Sequence, residues 1–222
     1  MKSVKAGIIT FPGSNCDRDM LVCLKDAFGI QAKMLWHRDL IDEDFDLLVV
    51  PGGFSYGDYL RAGAIARFAK AMGSLKEHAD KGRAVIGICN GFQILCEAGF
   101  LPGALLRNVN LKHICRDVHL ETKGENAFTR GLDTSRAYRI PVSHSDGNYR
   151  INSDQLKELQ DEGRIAFTYR ENPNGSVENI AGVTDKNQRV LGMMPHPERA
   201  ADPLLGGTDG KILLESILAA VA

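Results

Sequence analysis

The chain lacks any apolar run near the roughly 18 residues that a membrane-spanning helix needs. It also lacks a charge imbalance: 27 Lys and Arg stand against 28 Asp and Glu, for a net charge of −1. A broad basic surface for nucleic acid is therefore not indicated. The five cysteines, at positions 16, 23, 89, 96 and 115, are odd in number and form no CxxC pair. Neither a complete disulfide framework nor a CxxC-type zinc site fits that count; reduced thiols in a cytoplasm do. The phosphate-binding patterns GxxxxGK(S/T) and GxGxxG are missing. There is no internal repeat, low-complexity tract or long linker. The N-terminal apolar stretch, residues 6–11, is short and leads into Pro12-Gly13 and charged residues, so it reads as a first strand and not as a signal peptide. Without a leader, the sequon Asn174-Gly175-Ser176 reads as chance.

What is present is the composition of an ordinary globular protein, 222 residues with 44% hydrophobic and 25% charged. That length fits one large α/β domain or two small ones, with enough chain for a sizeable core, and a single domain over residues 1–222 is expected. Strand and helix signals alternate through the first half. Residues 4–10, 32–36, 46–50 and 84–88 are compact apolar runs, and three of them end at Gly or Pro or lead into a Gly-flanked turn. Residues 17–28, 59–72 and 90–98 carry apolar residues at helical spacing. This order predicts an α/β fold with a parallel sheet wrapped by helices. Residues 104–152 break the pattern with short strand-like pieces, 118–121 and 138–142, and predict a mixed or antiparallel extension of the sheet. A helix over 153–162, capped by Ser153 or Asp154, strands at 164–169, 180–184 and 190–193, a turn at 206–210 and a last helix over 211–221 complete the reading.

The most informative segment is Gly87-Ile88-Cys89-Asn90-Gly91-Phe92-Gln93. A buried strand runs into a thiol flanked by small residues, and a helix follows at once. A nucleophile on so sharp a turn needs glycine neighbours, because the backbone is strained and closely approached. The helix start points free N–H groups and its positive dipole end toward the sulfur, which favours thiolate. A nucleophilic cysteine needs a base, and the base needs an orienting group. Of six histidines, His196 stands out in Met194-Pro195-His196-Pro197-Glu198. Two prolines fix the backbone around it, and in extended chain the side chains at i and i+2 share a side. Glu198 can therefore accept from one ring nitrogen while the other faces the thiol. Pro51-Gly52-Gly53 after a buried strand can present backbone N–H groups that, with the N–H of Asn90, would hold an oxyanion. The chemistry these residues spell is nucleophilic acyl transfer, with no metal called for.

These motifs resemble the class I, triad-type glutamine amidotransferases. Two longer stretches, FPGSNCD at 11–17 and PGGFSYGDYLRAGAIAR at 51–67, resemble one branch of that family. In that branch the glutaminase is a separate small chain of the synthase that turns formylglycinamide ribonucleotide into its amidine. The resemblance runs from the first strand to the last helix. It implies an open, mostly parallel, flavodoxin-like sheet. It implies hydrolysis of L-glutamine to glutamate and ammonia in the cytoplasm, for purine biosynthesis. The partners it implies are a large ATP-dependent synthetase subunit and a small bridging subunit. This chain would hold no cofactor, ATP and magnesium belonging to the synthetase. By position, the resemblance makes Cys89 the nucleophile, His196 the base and Glu198 its orienting carboxylate. Gly53 and Asn90 would hold the oxyanion, Gly52 would shape the turn and Gln93 would contact substrate. Residues 141–147 match the substrate-side loop, though His144-Ser145-Asp146-Gly147 departs from the family's more usual His-Gly-Glu-Gly at Ser145 and Asp146. The stretch 56–67 is expected to be a docking face for the partner. A stand-alone cysteine hydrolase of the same superfamily, or an inactive binding module, would be the alternatives.

Overall fold

The computed structural model describes residues 4–221. Eleven strands and five α-helices are formed among them. The strands are β1 (Lys5–Thr10), β2 (Gln31–Trp36), β3 (Leu47–Val50), β4 (Ala84–Ile88), β5 (Ala104–Leu106), β6 (Ile114–Thr122), β7 (Tyr138–His144), β8 (Asn148–Arg150), β9 (Ile165–Tyr169), β10 (Ile180–Thr184) and β11 (Val190–Met193). The helices are α1 (Asp17–Val22), α2 (Lys70–Asp80), α3 (Asn90–Glu97), α4 (Ser153–Asp161) and α5 (Asp209–Ala219).

Nine strands make one sheet in the order β2-β1-β3-β4-β11-β10-β9-β6-β7, and β5 pairs with β8 apart from it. The first five are parallel to one another. Their order is the 2-1-3-4-5 of flavodoxin-like sheets. From β11 onward each pairing is antiparallel, which is the expected extension. β3 and β4 are buried at every position, as strands covered by helices on both faces must be, and this explains their unbroken apolar runs. In such sheets ligands sit beyond the carboxyl ends of the strands, at the point where strand order reverses. Here that point lies between β1 and β3. The segments leaving β1, β3, β4 and β11 all emerge at that edge, and β7 runs in the same direction.

Four local expectations are corrected. The helix over 59–72 does not form. Tyr56, Asp58 and Leu60, with Gly57 and Gly63, have positive φ, and Ala69 is extended, so the chain runs irregularly until α2 begins at Lys70. Leu60 and Phe68, which would have lined that helix's apolar face, are exposed. Instead, a two-pronged Arg61–Glu97 ion pair holds the segment against α3. The helix over 17–28 is α only to Val22 and continues as a π-helical turn over Cys23–Ala27. The cap of α4 is Asn152, whose side chain accepts from the Gln155 N–H at 2.9 Å, because Asn152 rather than Ser153 takes the extended conformation an N-cap needs. The last helix starts two residues early, at Asp209, whose carboxylate is held by the Arg139 N–H and the Arg136 side chain. The sequon asparagine, Asn174, is fully buried and donates to the Gly147 carbonyl at 2.8 Å.

Candidate active site

Cys89 stands between β4 and α3 with φ 50° and ψ −107°, a backbone conformation that a side-chain-bearing residue holds only where its surroundings impose it. Those surroundings are visible. The Cys89 N–H donates to the Met193 carbonyl at the end of β11 (2.8 Å), and its carbonyl accepts from the Gln93 N–H (3.2 Å). On one side Gly91 lies so close to β3 that a Cβ there would sit 1.9 Å from the Val50 carbonyl oxygen. The thiol itself faces the Ser143 carbonyl at 3.5 Å.

His196 leaves the end of β11 with its N–H bonded to the Pro141 carbonyl on β7 (2.9 Å). Its Nδ1 lies 2.7 Å from Glu198 Oε1, and both side chains are buried. The carboxylate thus fixes Nδ1–H, leaving Nε2 as the free nitrogen, which is buried and has no hydrogen-bond partner among the described residues. Burial alone would push the imidazole toward the neutral form. The Glu198 carboxylate, followed by the Cys89 and Cys16 sulfurs, outweighs it and holds His196 well above the ordinary histidine value. The predicted thiol, imidazole and carboxylate therefore stand in series at one edge of the sheet.

The Gly52-Gly53 turn is also in place. It is pinned to the loop after β1 by Phe54 N–H to Gly13 carbonyl (2.9 Å) and Cys16 N–H to Gly52 carbonyl (3.3 Å). The FPGSNCD stretch is thus the platform beneath the turn. On its other flank the turn is held by Asn90. The Asn90 side chain accepts from the Ser55 N–H at 3.1 Å and donates to Asp58 Oδ1 (3.3 Å) and Gln93 Oε1 (2.9 Å). The Asn90 backbone N–H belongs to the first turn of α3, where a helix leaves its amides without partners inside the helix. The Gln93 amide is engaged at both ends, since its Nε2 donates to the Asp146 carbonyl at 2.7 Å. It ties α3 to the 145–147 loop. The other two members of that loop's sequence motif are turned elsewhere: Ser145 Oγ pairs with His113 Nδ1 (3.1 Å), and the Asp146 carboxylate lies in the field of Asp58.

Three neighbours have no role assigned from the sequence, although Cys16, at a possible helix start, reads as a thiol that could react. Cys16 lines the same small cavity, about 40 Å³, as Cys89 and His196. Arg199 Nη2 donates to the Cys16 sulfur at 3.1 Å and Arg199 Nε to Asp19 at 3.0 Å. Asp58 is pushed up to about 6, first by burial and then by the Asp146 charge, against the Asn90 hydrogen bond. Cys16 and Asp58 both fall inside the two longer motifs, which is the only signal that could have found them. Arg199 closes the stretch Met194–Arg199, which also carries the resemblance.

The family of CobB/CobQ-like glutamine amidotransferase domains matches residues 3–206. The chain belongs to that amidotransferase family. Within the family it is 55% identical over 218 residues to the phosphoribosylformylglycinamidine synthase subunit PurQ of Leptospira interrogans, covering 97% of this chain and 99% of that one. It is 52% identical over 224 residues to the PurQ subunit of a Synechococcus strain, with both chains covered completely. Among solved structures, a chain from the structure of PurLQS from Thermotoga maritima superposes with a TM-score of 0.90 at 40% identity, covering 99% of this chain and 100% of that one. As an amidotransferase domain the chain matches these relatives end to end. No helix among the described residues is long and apolar enough to cross a membrane.

Proposed function

We propose that this chain is the glutaminase subunit of a phosphoribosylformylglycinamidine synthase in purine biosynthesis. It hydrolyses L-glutamine to glutamate and ammonia. The ammonia passes to a large ATP-dependent synthetase subunit, with a small bridging subunit completing the assembly. ATP and magnesium act in the synthetase, and the assembly works in the cytoplasm. The observation that carries the reading is the strained Cys89 turn facing a His196 whose Nδ1 is bonded to Glu198.

The geometry supports the following chemistry. The Cys89 thiolate, beside the protonated His196 ring, attacks the side-chain amide carbon of glutamine. The oxyanion is held between the Gly53 and Asn90 N–H groups, each contributing about 3 kcal/mol by comparison with other oxyanion donors. His196 then gives its proton to the nitrogen, the C–N bond breaks, and ammonia leaves a γ-glutamyl thioester. Water loses a proton to His196 and attacks the thioester, and glutamate departs to leave the thiolate beside the protonated ring. Glu198 holds the ring and supports its charged form in both halves. Gly52 shapes the turn, and Gln93 sets the wall of the site by joining α3 to the substrate-side loop.

The same reading assigns residues 56–67 to the partner-facing surface. Tyr59 and Leu60 are 75% and 89% exposed there, beside Phe68 at 76%. The turn beneath, with positive φ at Tyr56, Gly57, Asp58 and Leu60, connects through Asn90 to the oxyanion site. The isolated chain is therefore slow and the assembled one fast; equal kcat/KM for the two would refute this coupling. The test of the function itself is Cys89→Ala in the assembled synthase. Glutamine-dependent amidine formation should vanish while ammonia-dependent formation continues. Retained glutaminase activity in that variant would overturn the assignment.

A further inference from the structure

The mechanism above leaves one buried thiol of the site unused. Cys16 is only 3% exposed, and His196 and Glu198 are 1% and 2% exposed. One donor atom from each of the three, a sulfur, a ring nitrogen and a carboxylate oxygen, lies within 4.8 Å of the other two. They come from opposite ends of the chain and are brought together by the Gly52 turn. A Cβ at Gly52 would lie 3.1 Å from the Cys16 sulfur and 2.7 Å from His196 Cε1.

We propose that Cys16, His196 and Glu198 form an inhibitory site for a thiophilic divalent cation of the zinc class. Sulfur, imidazole and carboxylate form a donor set that zinc takes, at about 2.0–2.3 Å from each atom. Ligands around one tetrahedral ion lie a little under twice that distance apart, and the three donor atoms already lie within 4.8 Å of one another. Glu198 Oε2 is buried and without a hydrogen-bond partner among the described residues, so a carboxylate lone pair is free to serve. The adjoining cavity of about 40 Å³ has room for one water as a fourth ligand. The charges that face the site are mixed. Arg199 touches the Cys16 sulfur and opposes a cation, but it is paired with Asp19 at 3.0 Å, and an N–H donor to a metal-bound thiolate is compatible with coordination. A thiolate and an unprotonated ring nitrogen are the forms that bind a metal, so affinity rises with pH.

The consequence rests on the proposed function. An ion that takes a His196 ring nitrogen and the Glu198 carboxylate competes with the bond that orients the ring or with the proton the ring must carry, and Cys89 loses its base. Zinc at this site stops glutamine hydrolysis without touching the nucleophile.

The test uses the purified full chain freed of metal by a chelator. Cobalt(II) is the spectroscopic probe and zinc(II) the inhibitor. One equivalent of cobalt should bind and give a thiolate-to-metal charge-transfer band. That band should persist in Cys89→Ser and vanish in Cys16→Ser, where zinc inhibition should weaken roughly tenfold or more. A band lost in Cys89→Ser but kept in Cys16→Ser would place the ion on the nucleophile and overturn the proposal, as would absence of stoichiometric binding. Zinc-edge X-ray absorption on the unaltered chain decides the matter even if Cys16→Ser misfolds: one sulfur ligand is expected, and none or two would refute the site. If the metal-free chain hydrolysed no glutamine even with its partners, the functional reading would fail, while the cobalt spectrum would still decide the site.

Discussion

His196 Nδ1 and Glu198 Oε1 lie 2.7 Å apart, two residues along the chain and both out of solvent. A buried carboxylate at this distance does two things: it fixes which ring nitrogen is free, and it stabilises the charged ring. Glu198→Gln keeps the shape and removes the charge. Its kcat should fall roughly 10²- to 10⁴-fold. The pH dependence of stability should change with a defined sign. Because the folded-state imidazole is raised, the stabilisation from its charged form is complete below the unfolded value of about 6.5 and is lost as pH rises through the folded value. The stability lost in Glu198→Gln should therefore be largest in mild acid and shrink in alkali. Urea unfolding of both proteins across pH checks it; a constant difference would contradict the charge role.

Two glycines of the site should respond differently to a single methyl group. At Gly91 a Cβ would meet the Val50 carbonyl oxygen at 1.9 Å. Neither the helix nor the strand can yield there without moving the core, so Gly91→Ala should destabilise the fold by about 1–3 kcal/mol or more. At Gly52 the Cβ would meet His196 Cε1 at 2.7 Å and the Cys16 sulfur at 3.1 Å. Side chains can turn aside, so Gly52→Ala should fold with nearly unchanged Tm. Its kcat should fall roughly 10²-fold, because the ring is displaced from the thiol. Thermal melts and glutaminase rates on the two variants separate the effects; a fully active Gly52→Ala would show that the turn does not set the ring's place.

Asp58 carries a pH signature of its own. Its carboxyl is raised to about 6, by burial first and by Asp146 second. Between the unfolded value near 3.8 and the folded value near 6 the native state binds the extra proton. Its contribution to stability is therefore complete below the lower value and is lost as pH climbs through the upper one. Asp58→Asn should remove that component, and Asp146→Asn should shift the Asp58 titration downward. Carboxyl-resolved NMR reads the midpoint directly, and an Asp58 midpoint unmoved by Asp146→Asn would exclude coupling between the two loops.

The inner strands of the parallel half were legible because they are buried on both faces and so appear as bare apolar runs, β3 and β4 above all. The clustering of Cys89, His196 and Glu198 was legible for a different reason. A strand-to-helix nucleophile needs Gly87 and Gly91, and a Pro-flanked histidine needs its carboxylate two residues on, so each constraint is local in sequence. What was not legible is non-local. The stretch 59–72 has helical spacing, yet contact with α3 and a run of positive φ values override it. Cys16 meets His196 only because β1 and β11 end at the same sheet edge, 180 residues apart in the chain, a number no pattern in either segment encodes. The side-chain work of Asn90 was hidden likewise, because its partners Ser55 and Asp58 belong to another loop.

His144 provides the last expectation. It is buried on β7, and its Nδ1 meets Asn108 Oδ1 at 3.2 Å. Asn108 Oδ1 also accepts the Gly147 N–H at 3.0 Å, so the ring donates as a neutral imidazole. Burial first, then the charges of His196 and His113, lower it to about 4. The unfolded chain takes up the proton near 6.5, so stability is complete above that value and drains away as pH falls toward 4. The full loss is roughly 3 kcal/mol on this group alone. His144→Gln can still donate to Asn108 but cannot titrate. Between pH 6.5 and 4 the unaltered protein should therefore lose stability relative to His144→Gln, the difference between the two growing as pH falls. Because the neighbouring loop carries the Asp146 carbonyl that holds Gln93, protonation of His144 should also slow glutamine hydrolysis before the fold is lost. An acid limb of kcat that persists unchanged in His144→Gln would assign that limb to His196 instead.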